Sequence, residues 1–144
     1  MKVGFSGTLI AAVGLFVVAA PAFAHHGFGV EFDSTKCMDI KGTLAGVTWE
    51  NPHAYLDVDA PDADGKVVTW HLEMVTPNAL KRTGTTHQDF VDNFGKPISV
   101  RACMAKINSS TVHRGAASYL ALPDGLIRLV GQGVEGRPDD QKHF

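Results

Sequence analysis

Two runs of strictly alternating residues flank the turn sequence Asp62-Ala63-Asp64-Gly65, and they limit the fold more than any other part of the 144-residue chain. In the first run Ala54, Leu56, Val58 and Ala60 alternate with Tyr55, Asp57 and Asp59. In the second, Val68, Trp70, Leu72 and Met74 alternate with Thr69, His71 and Glu73. A period of two puts each apolar set on one face of a strand and the polar set on the other. The Asp-rich turn with its Gly makes the pair a hairpin. If residues 62–65 close it, facing residue numbers sum to about 126. His53 then lies opposite Glu73 and Tyr55 opposite His71, all on the face turned away from the core.

The flanking segments extend the pattern. Residues 37–49 read as a strand in which Ile40, Gly42 and Leu44 share one parity and Ala45, Val47 and Trp49 the other. A change of parity within one strand marks a bulge or a strong bend. Thr76-Pro77 opens a short helix that Gly84 ends, and residues 86–90 suit a further helical turn. Residues 98–105 and 116–122 read as two more strands, followed by the turn Pro123-Asp124-Gly125 and a short extension over 126–130. Three strands, a short helix and two strands is the order of an OB-fold. The expected architecture is therefore mainly β: a small five-stranded OB-like barrel over residues 37–130, with one short helix between strands three and four. An open β-sandwich is the runner-up. Residues 25–36 read as an extended N-terminal arm and 131–144 as a loose tail.

The chain start has a different character. Lys2 precedes a mostly apolar run to Ala20, and Pro21-Ala22-Phe23-Ala24 follows, with small residues at the two positions a signal peptidase requires. The run approaches the roughly 20 residues needed to span a bilayer, but the Pro and the cleavage pattern favour a signal peptide removed after Ala24. The expected product is periplasmic, begins at His25 and has no membrane partner after cleavage. Without Lys2 it carries 12 basic residues against 15 acidic, which argues against nucleic acid as a partner. In an oxidising compartment Cys37 and Cys103 are candidates for a disulfide, with free thiols or soft metal ligands as the alternatives. In the barrel topology they fall on neighbouring strands.

The chain resembles a widespread group of small exported bacterial proteins of unknown function. The resemblance rests on His25-His26-Gly27-Phe28, Glu31-Phe32-Asp33, Lys41-Gly42-Thr43, Asp64-Gly65-Lys66-Val67-Val68, Pro77-Asn78-Ala79-Leu80 and Leu122-Pro123-Asp124-Gly125. Its most specific part is Trp49-Glu50-Asn51-Pro52-His53-Ala54. It implies export and a compact β domain, and no established reaction.

A chain beginning at His25 would offer its α-amine and ring Nδ1 to one metal ion as a chelate. One more imidazole completes a nitrogen set suited to Cu(II), the tightest binder among the divalent metals of its row. His53 is the leading third ligand and His26 the alternative, with His71 and Glu73 as supporting or weak axial groups. Tyr55 would border this ligand face, since the outer surface of strands two and three is where OB-folds bind; Trp49 and Trp70 read as residues in or near the core, with Trp49 the one that would border the ligand face as the alternative. The bland alternatives are a His53 that caps a turn and a solvated His71–Glu73 pair. His87, His113 and His143 read as ordinary surface residues. The Asp57, Asp59, Asp62 and Asp64 group lacks a calcium-loop pattern and reads as a solvated turn. No nucleophile elbow, phosphate loop, dinucleotide fingerprint or His-Glu-x-x-His motif is present, so an enzyme ranks last. The expected function is a small periplasmic binding or accessory protein with copper as its ligand. The alternative is a metal-free module that docks an envelope protein or glycan.

Overall fold

The structure is a computed structural model, and it describes residues 27–108 and 113–132. The expected signal segment, His25, His26, His143 and the tail from residue 133 lie outside the described residues.

The elements run in the order α1 (Phe28–Glu31), β1 (Phe32–Thr48), β2 (Tyr55–Pro61), β3 (Val67–Glu73), α2 (Pro77–Arg82), α3 (His87–Val91), β4 (Pro97–Ala105), β5 (His113–Ala121) and β6 (Ile127–Leu129). Neighbours in the sheet follow the order β3-β2-β1-β4-β5-β6, and a parallel β3–β5 pairing closes it. The result is a closed five-stranded barrel of OB-like form, with β6 added along β5. Closure uses the pairs Trp70–His113, His71–Arg114, Leu72–Gly115 and Glu73–Ala116.

One strand serves both halves of the barrel. The N-terminal part of β1 pairs with β4, and its C-terminal part pairs with β2. The register slips between Leu44 and Gly46, where the parity of the apolar residues changes. A bulge there lets the strand coil and lets both parities contribute to the interior. Ile40 and Leu44 are buried, and Val47 and Trp49 pack against the same core.

The alternating hairpin explains most of that core. Ala54, Leu56, Val58, Ala60, Leu72 and Met74 are all buried, as their common parity requires. Fully burying a Leu or Val contributes roughly 1.5–3 kcal/mol, so these positions anchor the barrel. Leu80 and Phe90 from the two short helices add to the same cluster. Thr76 caps α2 by accepting from the Ala79 N–H, and Thr86 with Asp89 forms a capping box on α3. Thus two helices, rather than one, join β3 to β4.

Three expectations need correction. The hairpin register is two residues away from the expected sum: Tyr55 faces Glu73, Asp57 faces His71 and Asp59 faces Thr69. Asp62 N–H bonds Lys66 O, and Gly65 has φ +79°. Gly65 therefore belongs to a three-residue loop with a left-handed last position, which moves the turn centre to Asp64. The shift is even, so every side chain keeps its face. Residues 28–31 are helical rather than extended, and β1 begins at Phe32 rather than Cys37. Tertiary contacts explain this: Phe28 and Phe32 pack on Ala105 and Ala116 to make a small second core.

Cys37 and Cys103 are register partners on β1 and β4 and form a disulfide. No described helix is long and apolar enough to cross a membrane.

Candidate functional site

The polar face of the hairpin carries a connected set of side chains. His53 follows the Asn51–Pro52 cis peptide and sits just before β2. The ladder extends past the strand ends here, because Ala54 N–H donates to Val75 O and Met74 N–H to Ala54 O. His53 is thereby held at a fixed position beside β3. Its Nδ1 lies 3.2 Å from Met74 O and 3.5 Å from Glu73 Oε1. Both neighbours are oxygen acceptors, so Nδ1 carries the proton and the lone pair of the neutral ring sits on Nε2. The side chain remains 30 % exposed.

His71 has a comparable arrangement. Its Nδ1 is 2.6 Å from Asp57 Oδ1, and its ring stacks on Tyr55 with centroids 4.6 Å apart and planes 9° from parallel. The carboxylate accepts from Nδ1–H, which again leaves Nε2 with the lone pair of the neutral ring.

Glu73 links the two halves. Burial raises its pKa, the charge of Glu31 raises it further, and His53, Arg114 and Tyr55 oppose the shift. Tyr55 is also raised, first by burial and then by the carboxylates of Glu73 and Glu31. Glu31 belongs to α1 and Arg114 to β5, so sequence-distant groups act on the hairpin face. Arg114 Nη2 holds Glu31 Oε1 at 2.9 Å, and Arg114 is the register partner of His71.

The structure thus brings His53, Tyr55, His71 and Glu73 to one face, with His53 nearest Glu73 and His71 nearest Tyr55 and Asp57. It does not bring Trp49 there. The Trp49 ring packs on His87 and Phe90, with centroids 5.6 and 5.7 Å away, and so faces α3 and the core. His87 is exposed, as expected of a surface residue, with one side of its ring against Trp49. His113, read as a surface residue, is half-buried, with its ring 4.9 Å from that of Trp70. The aspartates of the hairpin have local partners: Asp59 accepts from the Thr69 hydroxyl, and Asp62 accepts from the backbone N–H groups of Asp64 and Lys66.

Glu31 and Arg114 were not among the candidates from sequence. Their pairing depends on how α1 folds back across β5, and no local pattern encodes that. Among the described residues no three His, Cys, Asp or Glu side chains converge as a metal cluster.

No curated protein and no solved structure matches the chain. The profile of a family of unknown function (DUF6152) matches residues 12–114, more than half of the chain, and the protein belongs to that family.

Proposed function

We propose that this is a small periplasmic binding or accessory protein that, once processed to begin at His25, holds Cu(II) between its N-terminal histidine and His53. The observation that carries the reading is the pair of oxygen acceptors beside His53 Nδ1. Metal-binding histidines donate their second ring N–H to a carbonyl or carboxylate, which orients the ring and raises its basicity. His53 has both acceptors beside Nδ1, and its Nε2 is left as the ligand atom. The α-amine and Nδ1 of His25 supply the other two nitrogens, and nitrogen sets of this kind favour Cu(II). His26 is the alternative third ligand. His71 and Glu73 act as supporting groups, Glu73 by orienting His53.

The test is a Cu(II) titration of the processed protein beside a variant with one extra residue before His25 and a His53→Ala variant. Weakened binding in both supports the chelate. Unchanged affinity in the extended variant removes His25 from the site, and unchanged affinity in His53→Ala removes the barrel.

The second reading is a metal-free module that docks an envelope protein or glycan. It is favoured by the stacked Tyr55–His71 pair, a flat aromatic surface on the usual binding face of an OB-like barrel. It expects His53→Ala to leave copper affinity untouched while capture of the partner changes.

A further inference from the structure

The two ends of the barrel are built differently. Where β3 gives way to α2, Leu80 and Phe90 are fully buried in the core and fill that end. At the other end, beside the turn of the hairpin, the interior stays open as a recess of about 700 Å³. Strand β1 makes this opening by leaving the hairpin: it pairs with β2 from Thr43 onward, while residues 37–41 pair with β4 instead. Met38, Ile40, Ala60 and Trp70 line the recess. Met38 has the inward parity of the buried Ile40 and is nevertheless 44 % exposed, as an inward position at an open mouth must be. Trp70 is half-buried, and its ring lies 4.9 Å from that of His113, which borders the same recess. The charged residues of the lining are Asp39, Lys41 and Asp62, so two carboxylates stand against one ammonium. Arg101 engages Asp39 at 3.1 Å. Asp62 accepts from the N–H groups of Asp64 and Lys66, each at 2.9 Å and both through Oδ1, which leaves Oδ2 available to a ligand.

We propose that this open end is a binding site for a small, flat aromatic cation, separate from the copper site. The size fits a small molecule, since ligand sites run from roughly 300 to 1,000 Å³ and the mouths of β-barrels are among their usual places. The indole of Trp70 offers a π face that attracts a cation. Trp70 and the thioether of Met38 together suit a flat ring. The Asp62 carboxylate takes the positive group in a charge-assisted hydrogen bond. A neutral aromatic forgoes that bond, and an anion meets the acidic balance of the lining. The site uses β1, the hairpin and the start of β5, so it stands or falls independently of the copper reading.

The experiment titrates the metal-free protein with proflavine, a flat aromatic cation, and reads Kd from the anisotropy of the dye. The anionic dye anilinonaphthalene sulfonate is the counter-probe. Wild type is compared with Asp62→Asn, Trp70→Phe and Asp64→Asn, each checked for folding by circular dichroism. Asparagine keeps an oxygen to hold the turn, so Asp62→Asn removes the charge and leaves the hairpin in place. It is expected to weaken proflavine binding by about tenfold, the lower end for losing a charge-assisted bond. Trp70→Phe keeps a smaller ring and is expected to weaken it by about threefold. Asp64 carries the same charge on the same turn but is outside the lining of the recess, so Asp64→Asn should change Kd by less than about twofold. Equal losses in Asp62→Asn and Asp64→Asn would mean that the dye reads only the charge of the turn, and they overturn the proposal. An anionic dye that binds as tightly as proflavine overturns it, and so does wild type that binds proflavine no tighter than about 1 mM. A Kd that neither Asp62→Asn nor Trp70→Phe alters overturns it as well.

Discussion

Removing the disulfide tests how the barrel is held together in the first half of its bent first strand. Cys37 and Cys103 are 66 residues apart in sequence and directly opposed on β1 and β4. Their crosslink denies the unfolded chain the freedom of a loop of that size. The chain-entropy relation gives about 4 kcal/mol for such a loop near 25 °C, a large share of the 5–15 kcal/mol that stabilises a typical domain. The perturbation is the double variant Cys37→Ser, Cys103→Ala. Serine suits the partly exposed position 37, and alanine avoids an unpaired hydroxyl at Cys103, which is fully buried. A loss of about 4 kcal/mol corresponds to a fall in Tm of roughly 15 °C for a domain of this size. Urea unfolding followed by far-ultraviolet circular dichroism measures it, with wild type in excess reductant as an independent route to the same state. A double variant within about 1 kcal/mol of wild type would refute the reasoning. It would mean that the β1–β4 ladder already restrains the ends as well as the bond does.

Thr85 is fully buried and its hydroxyl has no hydrogen-bond partner among the described residues. Thr85→Val keeps the shape and removes the cost of the unpaired group, so stability should rise by about 1 kcal/mol in chemical denaturation. A Cβ at Gly131 would overlap the backbone of Ala117 and Ser118. Gly131→Ala should therefore destabilise by about 1–3 kcal/mol, read as a lower urea midpoint at unchanged m. Arg128 and the Leu126 N–H hold the pKa of Asp124 down to about 2. A carboxylate lowered from its usual value near 3.8 contributes stability above that value and loses it as pH falls toward 2. Wild type should accordingly lose stability between pH 4 and pH 2 more steeply than Asp124→Asn, in thermal melts across that range.

The strands were legible because burial obeys parity. Leu56, Val58, Leu72 and Met74 alternate in sequence and lie together in the core, and the parity change after Leu44 marks the bulge of β1. The register of the hairpin was less legible. Asp62-Ala63-Asp64-Gly65 is compatible with more than one loop length, and only the left-handed Gly65 settles which. The helix α1 was not legible at all: two glycines in Gly27-Phe28-Gly29 weaken any local helical signal, and its contacts come from Ala105, Lys106 and Arg114. The candidate face was half legible. Alternation put Tyr55, His71 and Glu73 on one surface, but Glu31 and Arg114 reach it from 83 residues apart. Trp49 has two readings in sequence, packing in or near the core or bordering a ligand cleft, and the first holds, since the indole packs on Phe90 and the main core.

The way the barrel closes has a consequence for its behaviour at high concentration. Residues 70–73 of β3 pair with the first half of β5, and β6 covers the second half of the same strand. A foreign chain seeking to join the sheet along that second half meets the three-residue β6, where Arg128 stands between Ile127 and Leu129. Short, charged rims of this kind give little template for runaway strand addition. Along β5, then, the sheet ends in a poor template for fibril growth.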